Sequence, residues 1–277
     1  MPKSFGARLA AAFETQGQLC VGIDPHAELL QAWGLDDSAE SLLTFGRRVI
    51  EAASGRVGIV KPQVAFFERL GAAGFATLEI LTREARDAGL LVIADAKRGD
   101  IGSTMDAYLD AWLGKNAPFY ADSLTVSPYL GSDVYLEKMG EYFERGKGVI
   151  SLVATSNPEG ESVQLSVAQG QFSALSRINQ IAAGPGDTLG PVGAVIGATL
   201  NLTRFGLNLD DQGAVRTPIL APGFGAQGAE LADIRRLFGN ASDSVIATVS
   251  RSVLEAGANG IARAIDNHKL QLEKGLA

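Results

Sequence analysis

The chain has 277 residues, with 24 Lys or Arg against 31 Asp or Glu, so its formal net charge is −7 with neutral histidines. Hydrophobic residues make up 46% and charged residues 20%, a composition that excludes a disordered or fibrous chain. An acidic balance without a basic block argues against nucleic-acid binding, because phosphate contacts need clustered Lys and Arg.

Cysteine and histidine are scarce, with one Cys (Cys20) and two widely separated histidines, His26 and His268. This excludes a disulfide framework and a cysteine-rich zinc site, and it leaves little material for a histidine metal site or a Ser-His-Asp triad. We therefore expect a protein of the cytoplasm, a reducing compartment, and we expect both histidines in loops or solvent.

The first predicted element is a helix, because Phe5, Leu9 and Phe13 recur at a spacing of four. This start lacks the apolar stretch and small-residue cleavage site of a signal peptide. Nowhere does an apolar run reach about 18 residues, so we expect no membrane span and no membrane partner.

Eight short apolar runs then alternate with stretches of helical spacing, such as 64–88, 103–116 and 228–238. Continuously apolar runs suit parallel strands that are buried on both faces. The predicted strands are 19–23, 57–60, 90–94, 122–126, 148–154, 192–198, 217–221 and 244–249. This count predicts a single α/β domain over 1–277, a (β/α)8 TIM barrel with an N-terminal and a C-terminal helix. An open doubly wound sheet is the alternative.

Polar residues follow several of these strands, and in a barrel the chemistry lies at the carboxyl ends of the strands. The densest group follows the third strand. Asp95 and Lys97 are two apart and are expected to share the face that looks into the barrel, and Thr104 is expected to neighbour Asp100 on one helix face. Two aspartates around a lysine favour its protonated form, which makes it a proton donor rather than a Schiff-base nucleophile. A solvated charge cluster is the alternative.

A glycine-rich loop at 222–228 follows the seventh strand and leads into a helical stretch whose N-terminus can hold an anion. Arg251, just after the eighth strand, can add a charged fork to the same anion. Barrels commonly bind phosphate at these two strand ends. Simple tight turns are the alternative interpretation of the glycines.

Other polar positions are ambiguous by themselves. The alternative for Lys61 is an exposed lysine at a strand end. The alternative for Asp24, which precedes Pro25, is a residue that opens a turn and has no other role. The segment 156–171 is expected to be a mobile loop, either a lid or variable surface. Large aromatic residues are expected in the core: Trp33, Trp112, Phe66 and Phe67.

The string from Asp95 to Thr104 matches D-x-K-x-x-D-I-x-x-T and resembles the signature of the orotidine 5′-phosphate decarboxylase family. The resemblance extends over about residues 19 to 252, through Asp24, Lys61, the P-G-x-G-A-Q-G loop at 222–228 and Arg251. The strings VGIDP and TSNP look like the longer bacterial subgroup of that family.

The resemblance implies a homodimeric barrel with shared active sites that converts orotidine 5′-monophosphate to uridine 5′-monophosphate and CO2 in pyrimidine biosynthesis, without metal or organic cofactor. By position, Lys97 would protonate C6 of the pyrimidine, and Asp95 would lie beside the substrate carboxylate. Lys61 would link Asp95 to the ribose, and Asp100 would reach the partner's site. A fixed ammonium suits a C6 carbanion that no adjacent π system delocalises.

The same resemblance implies a set of substrate-binding residues. Asp24 and Thr104 look like ribose contacts, Thr104 across the dimer, and Ser156 looks like the base contact. The complete set is Asp24, Ile101, Thr104, Ser156, Gly225 through its backbone, Gln227 and Arg251, the last three for phosphate.

Two alternatives stay open. One is a Mg²⁺-dependent sugar-phosphate decarboxylase or hexulose-phosphate synthase of the same superfamily, and the other is a non-catalytic nucleotide-binding barrel. The Ile101 and Thr104 positions and the A-Q-G of the loop favour the nucleotide enzyme.

Overall fold

In a computed structural model that describes residues 2–277, eight parallel strands close into one barrel. Because the first strand pairs with both the second and the eighth, the sheet has no free edge, which rules out the open doubly wound alternative. The strands are β1 Leu19–Ile23, β2 Ile59–Pro62, β3 Leu91–Arg98, β4 Ser123–Val126, β5 Gly148–Ala154, β6 Val192–Ile196, β7 Ile219–Ala221 and β8 Val245–Val249.

Helices cover the outside of the barrel and close its N-terminal end. They are α1 Phe5–Gln16, α2 Ala27–Ala32, α3 Ala39–Ala53, α4 Val64–Glu68, α5 Gly71–Asp87, α6 Gly102–Leu113, α7 Asp133–Leu136, α8 Gly140–Glu144, α9 Glu161–Gln164, α10 Ala168–Ala182, α11 Ile234–Phe238, α12 Arg251–Leu254 and α13 Gly257–Leu276. Three short 3-10 helices cover Pro158–Gly160, Leu231–Asp233 and Gly239–Ser244.

The interior of the barrel is a separate apolar cluster beneath the candidate site. Phe5 and Leu9 of α1 are fully buried in this cluster, so the predicted apolar stripe of the first helix plugs the N-terminal end of the barrel. The strand residues of the cluster are Cys20, Ile59, Ile93, Ile150, Val195, Leu220 and Ile246. A core of this kind holds the polar side chains above it on rigid strands.

All eight predicted strands are confirmed, with shifted boundaries. The second begins at Ile59 rather than residue 57, and the third continues to Arg98, through the charged residues that follow its apolar run. The strand therefore carries Asp95 and Lys97, which were expected to share one of its faces. The end of the third strand was predicted too early because the apolar run stops at residue 94, whereas the strand continues through the polar residues that follow.

The predicted helices need larger corrections. The stretch 64–88 contains two helices, because the chain breaks after α4 and α5 starts at Gly71 with φ 59°. The stretch 228–238 holds only a 3-10 turn and the five-residue α11. The loop 222–228 therefore does not lead directly into a helix N-terminus, and the predicted dipole contribution from that helix is wrong.

No helix among residues 2–277 is long and apolar enough to cross a membrane. Trp33 and Trp112 lie in the core as predicted, whereas Phe66 and Phe67 separate. Phe67 is fully buried, and Phe66 lines the cavity described next, so its prediction as a core residue is wrong.

Candidate active site

A cavity of about 570 Å³ opens at the carboxyl ends of the strands. Residues from the ends of β1, β2, β3, β5, β7 and β8 line it, as the rule for barrel enzymes predicts. Seven of the site residues proposed from the sequence line it: Asp24, Lys61, Asp95, Lys97, Ser156, Gln227 and Arg251.

Strand periodicity places the charged residues at the floor of this cavity. Lys61 lies two residues after Ile59, and Asp95 lies two after Ile93, so both side chains point into the barrel above the apolar cluster. Thr125 on the neighbouring β4 also reaches this layer. Thr125 is not among the site residues predicted from the sequence, although a polar residue in a short apolar strand indicates an inward position near the site.

The carboxylate of Asp95 is held between two ammonium groups. Lys61 Nζ donates to Oδ2 at 2.9 Å, and Lys97 Nζ donates to Oδ1 at 2.6 Å. The hydroxyl of Thr125 lies 3.1 Å from the same Oδ1 and donates to it. These three donors occupy both oxygens and fix the orientation of the carboxylate.

The electrostatics of this pair favour full ionisation. Burial by itself would raise the pKa of Asp95, but Lys61 and Lys97 outweigh burial and hold that pKa well below its usual range. Burial would likewise lower the pKa of Lys61, but Asp95 and Asp24 together hold it above its usual value. The site therefore contains a buried carboxylate that stays charged at any physiological pH.

Lys97 reaches Asp95 from an irregular stretch of β3. Its φ is 49°, in the left-handed region that a non-glycine residue adopts rarely, and the β3–β4 register shifts between Ala94 and Arg98. The Lys97 amide donates to Thr125 Oγ1 at 2.9 Å instead of to the neighbouring strand's backbone. The expected contact of Asp95 with Lys97 is present, but a bulge produces it rather than regular alternation.

The remaining signature residues do not line this cavity. Asp100 precedes α6 and accepts a hydrogen bond from the Ile101 amide at 2.8 Å, and no ion pair joins it to Lys97 in residues 2–277. Thr104 is exposed in the first turn of α6, which begins at Gly102. The prediction that Asp100 and Thr104 share one helix face is wrong, because Asp100 lies before the helix.

Asp24 follows β1, the strand next to β2, and one of its carboxylate oxygens has no partner among the described residues. The Ser250 hydroxyl donates to its Oδ2, whereas its buried Oδ1 has no partner among the described residues. Gly22 makes this arrangement possible, because a Cβ at that position would lie 2.8 Å from the Ser250 Cβ. An unpaired buried carboxylate oxygen is costly, so Asp24 suits a ligand that supplies a hydroxyl donor.

The glycine loop folds back on itself. Gly223, Gly225 and Gly228 all have positive φ, and the Gly225 amide donates to Ala229 O at 2.9 Å. That amide is therefore occupied within the protein. The amides of Ala226 and Gln227 have no acceptor in the described chain, and both residues line the cavity.

Arg251 is the first residue of α12, is exposed at the cavity mouth, and forms no ion pair within residues 2–277. The Ser156 hydroxyl donates to Gln227 Oε1 at 3.1 Å, which joins the loop after β5 to the glycine loop. The positions expected to contact base and phosphate therefore lie side by side.

A support that the sequence did not suggest lies behind the glycine loop. Ser252 Oγ lies 3.0 Å from His268 Nε2, and a Cβ on Gly225 would come within 2.5 Å of that hydroxyl. His268 lies on α13, where Nδ1 contacts the Ala264 carbonyl at 2.8 Å. The prediction that His268 is a loop or solvent residue is wrong, because it packs this helix against the loop.

His26 lies in the loop before α2, as predicted. It caps α2 by accepting from the Leu29 amide through Nδ1, and it lines the cavity close to Phe66. The capping contact and the place in the cavity were not predicted from the sequence.

The segment 156–171 is not a bare loop. It contains the 3-10 turn, α9 and the start of α10, and Gln164 joins it to the end of β5. The Gln164 side chain accepts from the Thr155 amide at 2.8 Å and donates to its hydroxyl at 2.7 Å. This segment forms one wall of the cavity mouth.

Within residues 2–277 no group of three or more His, Cys, Asp or Glu side chains is arranged to hold a metal ion. Cys20 lies beneath the site, where burial raises the pKa of its thiol to about 12. The titratable groups at the floor of the cavity are therefore lysines and aspartates.

Comparisons with known proteins agree with this arrangement. The model of the Orotidine 5'-phosphate decarboxylase / HUMPS family matches residues 17–265. A Streptomyces coelicolor protein named orotidine 5'-phosphate decarboxylase is 49% identical over 257 residues, which cover 91% of this chain and 90% of the relative. One from Salinispora arenicola is 49% identical over 259 residues, covering 92% and 91%.

Comparison with solved structures agrees with these sequence matches. A Streptomyces avermitilis protein superposes with a TM-score of 0.90 at 44% identity, covering 100% of this chain and 97% of that one. The Leishmania donovani OMP decarboxylase superposes with a TM-score of 0.75 at 28% identity, covering 99% and 100%. On this evidence, the chain belongs to the Orotidine 5'-phosphate decarboxylase / HUMPS family.

Proposed function

We propose that this protein decarboxylates orotidine 5′-monophosphate to uridine 5′-monophosphate and CO2, a step of pyrimidine biosynthesis. The observation that carries the proposal is the Asp95 carboxylate held between Lys61 and Lys97 at the floor of the cavity. Relatives of 49% identity over nine-tenths of the chain bear the name of this activity.

The cavity offers separate contacts for each part of the nucleotide. Arg251, Gln227 and the unoccupied amides of Ala226 and Gln227 receive the phosphate at the cavity mouth. The unpaired Oδ1 of Asp24 accepts a hydrogen bond from a ribose hydroxyl. Ser156 contacts the base, because its hydrogen bond to Gln227 places it next to the phosphate position. With the phosphate at the mouth and the ribose at Asp24, the pyrimidine lies towards Lys97.

The chemical step uses Lys97 and Asp95. The bond between C6 and the carboxylate breaks, CO2 leaves, and the electron pair remains on C6. The Lys97 ammonium donates a proton to C6 and is then reprotonated from solvent. A fixed positive charge beside C6 stabilises the developing carbanion, because it is already oriented before the reaction.

Asp95 has two roles in this proposal. It orients the Lys97 ammonium through the 2.6 Å contact, and its negative charge lies where the substrate carboxylate must approach. Lys61 keeps Asp95 ionised from the other side. Binding of the remote phosphate supplies the free energy that brings the two carboxylates together.

The proposal includes a homodimer with shared sites. Asp100, Ile101 and Thr104 lie outside the cavity of their own chain, so they act on the partner's substrate. Ile101, Tyr129 and Leu130 are 59%, 79% and 51% exposed, and they follow the neighbouring strands β3 and β4. The ends of these strands are joined where the Ser127 amide donates to Arg98 O at 2.8 Å, and burial in a dimer suits the three exposed apolar side chains.

Two further parts of the proposal concern the molecule as a whole. Residues 1–277 act as one domain, because α1 closes the barrel and α13 packs against α3, α11 and α12. We also assign the protein to the cytoplasm, where its single thiol stays reduced.

The test is a spectrophotometric assay that follows loss of the orotate absorbance, with and without EDTA. Turnover that is unchanged by EDTA supports the proposal. Turnover that EDTA abolishes and Mg²⁺ restores indicates the metal-dependent branch of the superfamily. Saturable binding of uridine 5′-monophosphate without any turnover indicates a nucleotide-binding barrel that is not an enzyme.

A further inference from the structure

A second cavity, of about 660 Å³, lies at the end of the barrel away from the candidate active site. Gly58, Leu90, Asp122 and Lys147 in its wall directly precede strands β2 to β5, whereas the residues of the active-site cavity lie at strand ends or beyond. One side of α1 and the end of α5 complete the wall. Its volume is typical of small-molecule sites.

This N-terminal cavity carries a local excess of positive charge. Its charged lining residues are Lys3, Arg8, Arg86, Arg145 and Lys147 against Asp87 and Asp122. Five cations against two carboxylates give the lining an excess of three positive charges, one of which Glu141 offsets from outside the cavity, in a chain whose net charge is −7. A basic cavity in an acidic protein attracts anions locally.

The carboxylates do not neutralise the cations that face the cavity. Asp122 pairs with Arg8 at 2.6 Å and also accepts from the Val92 amide, so both of its oxygens are occupied. Arg86 has no side-chain hydrogen bond or ion pair within residues 2–277. Its guanidinium carbon lies 4.0 Å from the centre of the Tyr120 ring.

Lys147 lies against the same ring, with Nζ 3.6 Å from its centre, and is only 3% exposed. Its single hydrogen bond goes to the Ala121 carbonyl at 2.7 Å, so no carboxylate pairs with it. Arg145, on the neighbouring wall, pairs with Glu141 at 3.3 Å, but its buried Nε has no partner among the described residues. Three cations with unused donors therefore surround one cavity.

Backbone strain accompanies this arrangement. Tyr120 has φ 36°, one of two non-glycine residues with positive φ in the described chain, and the other is Lys97 in the candidate active site. Holding a tyrosine in this conformation costs free energy, and such strain concentrates at ligand sites. The ring that gathers Arg86 and Lys147 thus has its position imposed by the surrounding fold.

We propose that the N-terminal cavity is a binding site for a small anion with a diphosphate group, held by Arg86, Arg145 and Lys147. Together these three side chains offer more N–H donors than the three acceptor oxygens of a single phosphate group can use, which suits a diphosphate. Guanidinium groups suit the binding of phosphate oxygens. A bound anion also reduces the repulsion between Lys147 and the neighbouring arginines. This repulsion is substantial, since burial and the charges of Arg8, Arg86 and Arg145 lower the pKa of Lys147 to about 8.

The site does not depend on the proposed decarboxylation. The apolar interior of the barrel, from Phe5 and Leu9 to Leu220, separates the two cavities, and no residue lines both. Ligand binding at one end is therefore measurable with the other end disabled.

The experiment is isothermal titration calorimetry of inorganic pyrophosphate into the full-length Arg251→Ala protein, which lacks the free arginine of the active-site cavity. We expect one site per chain. Adding Arg86→Ala should weaken binding about tenfold or more, because a charge-assisted contact is lost. The Arg86 side chain is exposed, so this variant should fold, and circular dichroism checks that it does.

Arg83→Ala in the same background is the matched control, because Arg83 lies one turn earlier on α5, pairs with Glu79 and does not line the cavity. It should leave the affinity unchanged. Uridine 5′-diphosphate is a second ligand: binding that is tighter than that of pyrophosphate and that Arg86→Ala weakens identifies a nucleotide as the source, and equal binding identifies the diphosphate group alone. Absence of binding, equal losses for Arg83→Ala and Arg86→Ala, or equal affinity for inorganic phosphate would overturn the proposal.

Discussion

Lys97 reaches Asp95 across a β-bulge, and the two side chains form an ion pair of 2.6 Å although they lie only two residues apart on one strand. The left-handed backbone of Lys97 turns its ammonium towards the cavity, while Lys61 holds the carboxylate from the other side. Lys97 remains 45% exposed and can contact a ligand, whereas Asp95 is only 11% exposed and is fixed.

The first prediction concerns the proton donor. Lys97→Ala should lower kcat by about 10²-fold to 10⁴-fold, because it removes both the proton donor and the fixed positive charge. The protein should still fold, since Asp95 keeps its contact with Lys61. Steady-state kinetics with a circular dichroism check measures this, with Lys115→Ala on the surface as control. Near-normal turnover would refute the role of Lys97.

The second prediction concerns sharing of the site. Asp95→Ala and Asp100→Ala should each be inactive, but a mixture of the two proteins should recover activity. A hybrid dimer has one site that lacks both aspartates and one site that lacks neither, so equal mixing should restore roughly a quarter of wild-type activity. Native mass spectrometry shows whether the subunits exchange. If they exchange and the mixture stays inactive, Asp100 does not act across an interface.

The third prediction concerns phosphate recognition. Arg251→Ala should raise KM for the nucleotide at least tenfold, because a charge-assisted contact contributes about 1.5–3 kcal/mol. Arg48→Ala, on the solvent side of α3, serves as the control and should leave KM unchanged. An unchanged KM in Arg251→Ala would contradict the phosphate assignment.

The fourth prediction uses Lys147, whose pKa is about 8 in the folded protein against 10.5 for an ordinary lysine. Below pH 8 Lys147 is charged in the folded state, and burial of its ammonium lowers the free energy of unfolding. The difference between the two pKa values limits this loss to about 3 kcal/mol. Because the unfolded chain binds more protons between pH 8 and 10.5, the stability of the wild type relative to Lys147→Met should rise over that interval. Urea unfolding at pH 7, 8.5 and 10 measures it, and a constant difference would refute the assigned pKa.

The fifth prediction concerns α1. Leu9→Ala should lower the free energy of unfolding by about 2–5 kcal/mol, because it opens a cavity in a fully buried cluster. Leu270→Ala should have little effect, since Leu270 is 55% exposed. If the chain is one domain, unfolding of both variants should be a single transition; an early separate transition in Leu9→Ala would show that α1 is an independent unit.

Much of the fold and site could be predicted from the sequence. The alternation of apolar runs with helical stretches predicted eight strands, and the polar residues after them predicted which side chains meet at the barrel mouth. Asp24, Lys61, Asp95, Lys97, Ser156, Gln227 and Arg251 line one cavity, although they are spread over more than two hundred residues. Parallel strands of one barrel bring their carboxyl ends together wherever they lie in the chain.

Tertiary contacts decided what periodicity could not predict. The bulge at Lys97 depends on the Thr125 hydroxyl of the next strand, and the position of the glycine loop depends on Ser252 and His268. The Gly225 amide is occupied by Ala229, which leaves the amides of Ala226 and Gln227 for a ligand.

By itself the sequence determined the barrel, the set of charged residues at its mouth and the resemblance to one family, because these follow from local periodicity and short motifs. Only the tertiary structure decided that Asp95 lies between two lysines, that Asp100 and Thr104 face away from their own cavity, and that five cations gather at the far end. Such arrangements depend on which residues of different strands and helices meet in space, and the spacing along the chain carries no information on that.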